Sequence, residues 1–114
     1  MNSKIINSLL RVLGGLVLCF HLMSFTVVID AGHGGHDAGA IGLVKGVKEK
    51  DLNLTVAQRL ANQIRANHPE VKVVLTRETD VFLPLQQRAD IANKNHADLF
   101  ISIHTNAAEN RKAQ

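Results

Sequence analysis

Short apolar segments alternate with longer amphipathic segments along the chain after residue 25. Runs rich in β-branched side chains are typical of buried strands, and they occupy residues 26–29, 71–75 and 99–103. An amphipathic segment follows each of the first two runs. The order strand, helix, strand, helix, strand predicts an α/β fold with an open, mostly parallel sheet, right-handed crossovers and helices on both faces.

Both helices have recognisable ends. The first is expected to begin near Glu49 and to end at His68-Pro69, because a residue before proline avoids the helical conformation. Its buried face is expected to carry apolar residues spaced four apart, with two alanines beside them: Leu52, Val56, Leu60, Ile64, Ala57 and Ala61. Pro84 suits the first turn of the second helix. We expect the core side of that helix to carry three residues: Leu85, Ala89 and Ala92.

A glycine-rich loop follows the first strand. Residues 31–39 read AGHGGHDAG, so His33 and His36 stand among four glycines. Glycine lets the backbone approach a ligand closely, and histidine supplies a neutral nitrogen for a metal ion or a proton. The loop is therefore predicted to bind a ligand.

Composition, charge and the cysteine count exclude several kinds of function and site. The chain of 114 residues is long enough for one small domain, and its 46% hydrophobic content can form a core without Trp or Tyr. The net charge is +3, but beyond residue 25 there are 11 basic against 10 acidic residues. Because no stretch combines Lys and Arg with aromatic residues, nucleic acid is not an expected partner. The single cysteine, Cys19, excludes an internal disulfide and a cysteine-based zinc site. Nothing in the sequence indicates an oligomer.

Residues 1–25 have the pattern of a signal peptide or an N-terminal membrane anchor. Lys4 and Arg11 precede an uncharged run over residues 12–25, which is short for a membrane span and suits the apolar region of a secretory signal. No small-residue cleavage triplet precedes Phe25, so cleavage and anchoring both stay open. We expect export to the periplasm or cell envelope, with transient membrane contact through this leader.

Three residues distant in sequence are predicted to meet at one edge of the sheet. His33 follows the first strand and His104 ends the third, and parallel strands present their carboxyl ends at the same edge. Glu49 opens the helix that returns from that edge. Two histidines and a glutamate with an open fourth position form a catalytic zinc set. Taken singly, Glu49 is better explained as a helix start favoured by the helix dipole, and His104 could be a hydrogen-bonded histidine at a strand end.

Two further polar residues are candidates near this edge. Asp30 either accepts the second ring N–H of a ligating histidine or caps the glycine loop through backbone N–H groups. Asn106 either contacts substrate or stabilises a turn. The other histidines of the domain are not expected to be ligands: His36, His68 and His96.

Five motifs, in order, carry a resemblance to a known family. They are VVIDAGHGGHDAGAIG, Glu49 before DLNL, VLTRETD, LQQRADIAN and ADLFISIHTNA, and they cover residues 26–108. The sequence closely resembles the zinc-dependent N-acetylmuramoyl-L-alanine amidases of bacterial cell walls. The resemblance implies Zn²⁺ ligands at His33, Glu49 and His104. It also implies export and hydrolysis of the amide between N-acetylmuramic acid and L-alanine in peptidoglycan.

One feature of that family has no match here. The family's domain continues further and carries a second glutamate, the general base, near its C-terminal end. Glu109 is the only acidic residue after His104, and it lies in a different segment. We therefore expect residues 26–114 to be the N-terminal part of the catalytic domain, with the base beyond Gln114. Low activity is expected of this piece, because general acid–base groups contribute about 10²–10⁴-fold.

Alternatives from other classes are weaker to different degrees. A dinucleotide-binding loop needs G-x-G-x-x-G, and Asp37 stands where the third glycine belongs. A zinc carboxypeptidase places its first histidine and glutamate a few residues apart, whereas His33 and Glu49 are 16 apart. A non-catalytic zinc- or wall-binding module with the same metal ligands stays open.

We predict that residues 1–25 direct export on their own, because the charged start and the apolar run match the first two regions of a secretory signal. A fusion of these residues to a reporter that is active only in the periplasm is expected to be active. A fusion with Leu13, Leu16 and Leu18 changed to Asp is the control. An inactive wild-type fusion would show that the apolar run serves another purpose.

Overall fold

The computed structural model of the protein describes residues 24–106. The predicted leader, apart from Ser24 and Phe25, lies outside the described residues, and so does Glu109. The carbonyl of Phe25 already accepts a 2.9 Å hydrogen bond from the Lys72 N–H, so the sheet begins at the leader's predicted boundary. Within residues 24–106, no helix is long and apolar enough to cross a membrane.

Three parallel strands form the sheet, in the order β2-β1-β3. They are β1 (Thr26–Ala31), β2 (Lys72–Leu75) and β3 (Leu99–Ile103). The predicted alternation and parallel sheet are confirmed. β1 extends two residues beyond the prediction, because Asp30 and Ala31 pair with Ser102 and Ile103 of β3. As the central strand, β1 is buried along its whole length.

Helix α1 (Glu49–Asn67) covers one face of the sheet, and helix α2 (Leu85–Lys94) lies on the other. On the α1 side, alanines of the helix pack against alternate residues of β1 in one cluster: Val27, Ile29, Ala31, Ala57 and Ala61. Small side chains on the helix let it approach the sheet closely. On the other side, Arg88 of α2 reaches Asp30 of β1. The prediction of helices on both faces is confirmed.

The buried face of α1 differs from the predicted one at its N-terminal end. Leu52 and Val56 are 45% and 44% exposed, whereas Asn53, Ala57 and Ala61 are fully buried. A spacing of four residues advances by about 40° per step around a helix, so the predicted stripe drifts off the sheet. Asn53 takes a core position because its side chain has partners at the carboxyl edge of the strands.

The predicted core side of α2 is wrong at Leu85 and Ala89 but not at Ala92, which is half-buried. Leu85 is 85% exposed and Ala89 is exposed, while Arg88 is the residue of α2 that is buried. The contact between α2 and the sheet is therefore polar. The exposed apolar side chains of α2 line an open cavity of about 700 Å³ beside β3, together with Phe82 and Phe100.

Candidate metal centre

His33, Glu49 and His104 come together at the carboxyl edge of the sheet. Each offers one ligand atom, and these atoms all lie within 4.8 Å of one another. His33 stands two residues beyond β1, Glu49 is the first residue of α1, and His104 directly follows β3. The convergence expected from strand direction is present in the structure.

His33 is held from both ring nitrogens. Its Nε2 lies 3.2 Å from Glu49 Oε1, and its Nδ1 lies 2.8 Å from Asp37 Oδ2. A carboxylate on one ring nitrogen leaves the other free to bind a metal ion and fixes the orientation of the ring. The hydrogen bond with His33 and a second from the Gly39 N–H lower the pKa of Asp37.

Asp37 is not among the site residues that the sequence pattern predicts. In the sequence it stands within the glycine loop with no sign of a role at the site. The spacing of four residues from His33 across a tight turn was the available signal: the Gly34 and Asp37 backbones exchange two hydrogen bonds of 2.9 and 3.0 Å. That turn brings the carboxylate back onto the imidazole.

His104 approaches the same carboxylate oxygen from β3. Its Nδ1 lies 3.1 Å from Glu49 Oε1, and its ring centroid lies 4.9 Å from that of His33 at an interplanar angle of 82°. The ring rests against Gly32, where a Cβ atom would collide with it. Any larger residue at position 32 would therefore displace the imidazole.

Glu49 is a buried carboxylate with several hydrogen-bond donors. Its Oε2 accepts a 2.8 Å bond from the Ala40 N–H, and its Oε1 accepts bonds from the Thr105 N–H and the Asn53 amide at 3.2 and 3.4 Å. Burial by itself raises the pKa of Glu49, but the Ala40, His104 and Asn53 hydrogen bonds outweigh it and lower the pKa to about 2. The carboxylate is therefore ionised throughout the physiological pH range.

Gly39 makes room for two of the three residues. Its φ of +65° lies in the left-handed region, and a Cβ there would be 2.6 Å from His33 Cδ2 and 2.7 Å from Glu49 Oε2. Both the backbone conformation and the space require glycine at this position.

The donor set fits a tetrahedral Zn²⁺ ion. Ligands bound to zinc at about 2.1 Å lie about 3.4 Å from one another in a tetrahedron. The two imidazole nitrogens stand 3.1 and 3.2 Å from the carboxylate oxygen, close to that separation. The third separation, between the two histidine nitrogens, is within 4.8 Å, so the side chains would have to close around an ion to hold it as ligands.

The family of this chain follows from its similarity to known proteins. The family model described as N-acetylmuramoyl-L-alanine amidase matches residues 27–114, which include all three converging residues. The chain belongs to this amidase family.

Individual relatives agree with the family match. The N-acetylmuramoyl-L-alanine amidase AmiC of Escherichia coli O6:H1 is 45% identical over 86 residues, which are 75% of this chain and 20% of that protein. AmiA of Escherichia coli K12 is 48% identical over 87 residues, 76% of this chain and 29% of that protein. The catalytic domain of the amidase CwlV from Bacillus (Paenibacillus) polymyxa superposes with a TM-score of 0.72 at 43% identity, covering 75% of this chain and 48% of that structure. The chain thus spans only a part of the length of these relatives.

Asp30 plays neither of the two roles expected of it. Its Oδ1 accepts 2.7 and 2.8 Å bonds from the Thr76 hydroxyl and Arg88 Nη1, and its Oδ2 accepts a 2.9 Å bond from the Ser102 hydroxyl. These oxygens bond to neither a histidine ring nor the loop N–H groups. Burial alone would raise the pKa of Asp30, but bonds from Thr76, Arg88 and Ser102 lower it. Asp30 is thus joined to the backbone of His33 through Arg88, which bonds to both.

The other candidates lie outside the converging set. His36, His68 and His96 are exposed, and the His36 ring lies 4.1 Å from that of Phe82. Asn106 is exposed two residues beyond His104. Its two alternatives, a substrate contact and a turn, stay predictions.

We predict that Asp30→Asn lowers the free energy of unfolding at neutral pH by about 3 kcal/mol, because it leaves the buried Arg88 without its counter-charge. The folded-state pKa of Asp30 is lowered. The difference from wild type is therefore full above the unfolded pKa of about 3.9 and declines as the pH falls further. Urea unfolding at several pH values measures it.

Asp90→Asn is the matched control, since Asp90 lies on α2, the helix that carries Arg88, and its carboxylate is exposed. It is expected to change stability by less than about 0.5 kcal/mol. A difference between Asp30→Asn and wild type that grows below pH 4 would contradict the assigned direction of the pKa.

Proposed function

We propose that the protein is a Zn²⁺-dependent N-acetylmuramoyl-L-alanine amidase that hydrolyses the amide joining N-acetylmuramic acid to L-alanine in peptidoglycan. One observation carries this proposal: two imidazoles and an ionised carboxylate converge within 4.8 Å at the edge where α/β folds bind ligands. Membership of the amidase family supports the substrate and the reaction.

His33, Glu49 and His104 would hold the ion, and a Zn²⁺ ion with three protein ligands supplies a Lewis acid that activates water and polarises a carbonyl. Glu49 brings the negative charge, and the Ala40 N–H binds its second oxygen. Asp37 holds the His33 ring so that Nε2 faces the site. These contacts preorganise the ligands before substrate binds.

The cavity beside the site is suited to a substrate that reaches both histidines. It has a volume of about 700 Å³ and is lined by His33, His104 and Ser102 on one side and by apolar residues of α2 on the other. Among residues 24–106, the two carboxylates that contact the histidines, Asp37 and Glu49, are already hydrogen-bonded. We therefore assign neither as the general base.

The substrate also bears on the location of the protein. Peptidoglycan lies outside the cytoplasmic membrane, so the proposed activity requires export. The charged and apolar pattern of residues 1–25 supports a periplasmic or cell-envelope location.

We predict one Zn²⁺ per chain, bound by His33, Glu49 and His104. His33→Ala and His104→Ala are expected to weaken zinc binding at least about 100-fold, because each removes a direct ligand. Elemental analysis after dialysis, together with chelator competition, measures this. His96→Ala, which removes an exposed histidine, is the matched control and should bind zinc like wild type. Stoichiometric zinc in both ligand variants would refute the assignment.

We predict that the zinc-loaded protein releases stem peptides from purified sacculi slowly, because no general base is assigned among residues 24–106, and that each release creates a free amino group on L-alanine. The His104→Ala variant should lose this release, since the ion that polarises the amide is no longer held. Labelling of new amino groups followed by chromatography identifies the bond that is cut. New amino groups on a D-residue, or release of single amino acids, would indicate a peptidase. Binding to sacculi with no cleavage even after prolonged incubation would indicate a wall-binding module.

A further inference from the structure

We propose that the buried guanidinium of Arg88, assisted by that of Arg77, is a positioning device for His33. In this proposal the two arginines hold the backbone of residues 31–33 in the one conformation that aims the His33 ring at Glu49. The inference rests on the proposed zinc site. It concerns residues that have no direct place in the ligand set.

The backbone of His33 needs support. Its φ is +61°, in the left-handed region that residues with a side chain adopt uncommonly. Such a conformation persists where the surrounding structure over-determines it. If residue 33 relaxed to a negative φ, its Cα–Cβ bond would point in another direction and the ring would leave Glu49. The position of Nε2 therefore depends on whatever holds this backbone.

Arg88 holds it directly. The residue is 5% exposed, and its Nη2 donates a 2.8 Å hydrogen bond to the His33 carbonyl. Its Nη1 donates at 2.8 Å both to the Ala31 carbonyl and to Asp30 Oδ1. Its Nε donates at 3.0 Å to the Leu83 carbonyl. The planar fork thus ties the end of β1 and the carbonyl of His33 to one rigid group.

Arg77 also donates hydrogen bonds to this backbone segment. It is 3% exposed, and its Nε donates at 2.8 Å to the Ala31 carbonyl. Its Nη2 donates to the Gly32 and Lys50 carbonyls at 3.0 and 2.9 Å. Three successive carbonyls, from residues 31 to 33, are therefore bound by guanidinium groups. The Lys50 contact also ties the loop to the first turn of α1, next to Glu49.

Docking of α2 alone does not account for this arrangement. The pair of Arg88 with Asp30 already joins α2 to β1, so the additional bond to the His33 carbonyl serves the loop. Lysine at position 88 could keep the charge beside Asp30, but its single ammonium cannot reproduce the planar fork. An Arg88→Lys variant thus separates the charge from the geometry.

The test compares zinc affinity and the ligand field of bound cobalt. Arg88→Lys is expected to bind Zn²⁺ at least about tenfold more weakly than wild type in chelator competition, as for other groups that orient metal ligands. With Co²⁺ in place of zinc, its visible absorption bands should shift or lose intensity. Circular dichroism is used to choose a temperature at which every variant is folded, and the binding measurements are made at that temperature.

Two controls separate positioning from stability. Arg65→Lys changes an arginine whose Nη2 also donates to a backbone carbonyl, that of Val73, away from the site. Ala61→Gly destabilises the buried face of α1 without touching the loop. Both should keep the zinc affinity and the cobalt spectrum of wild type. Arg88→Lys with wild-type affinity and spectrum would overturn the proposal, and so would an equal loss in Ala61→Gly.

A double-mutant cycle shows which residue Arg88 acts through. If it acts through His33, Arg88→Lys should weaken zinc binding by less than about twofold in a His33→Ala background. An undiminished tenfold effect there would overturn the proposal. If Arg88→Lys does not fold, Arg77→Lys replaces it with the same expectations. Wild type without stoichiometric zinc would instead refute the proposed function itself, whereas failure of the variants alone refutes only the positioning role.

Discussion

The carboxylate of Asp30 is the contact on which the other elements depend. It lies on the central strand and accepts hydrogen bonds from Thr76 after β2, Ser102 on β3 and Arg88 on α2. One buried charge therefore fixes the relative positions of three strands and a helix. Because the same Arg88 also binds the carbonyl of His33, the packing of the sheet and the backbone conformation of residues 31–33 are coupled.

The topology and the converging residues could be predicted from the sequence because they follow from strand direction. Once β1 and β3 are parallel, residues that follow them share an edge, and the helix after β1 must begin near it. His33, Glu49 and His104 are placed by this rule without any knowledge of side-chain packing. Glycines at positions 32 and 39 agree, since each lies against one of the imidazoles.

The buried polar contacts could not be predicted in the same way. Apolar periodicity identifies a helix and predicts which side is buried. A helix that contacts the sheet through Arg88 has no apolar signal on that side. Leu85 and Ala89 of α2 therefore predict the wrong buried side. The predicted apolar face that begins at Leu52 does not coincide with the buried face of α1, because residues spaced four apart rotate gradually around the helix. The Asp37 contact depends on a turn closed by glycines, whose conformation the residue types permit but do not specify.

Two buried carboxylates near the edge of the sheet, Asp30 and Glu49, have different electrostatic surroundings. Asp30 is paired with the guanidinium of Arg88, whereas Glu49 is surrounded by neutral N–H donors and imidazoles. These donors stabilise the charge of Glu49 while leaving Oε1 beside both histidines. Since the pKa of Glu49 is about 2, no proton competes for this oxygen at neutral pH.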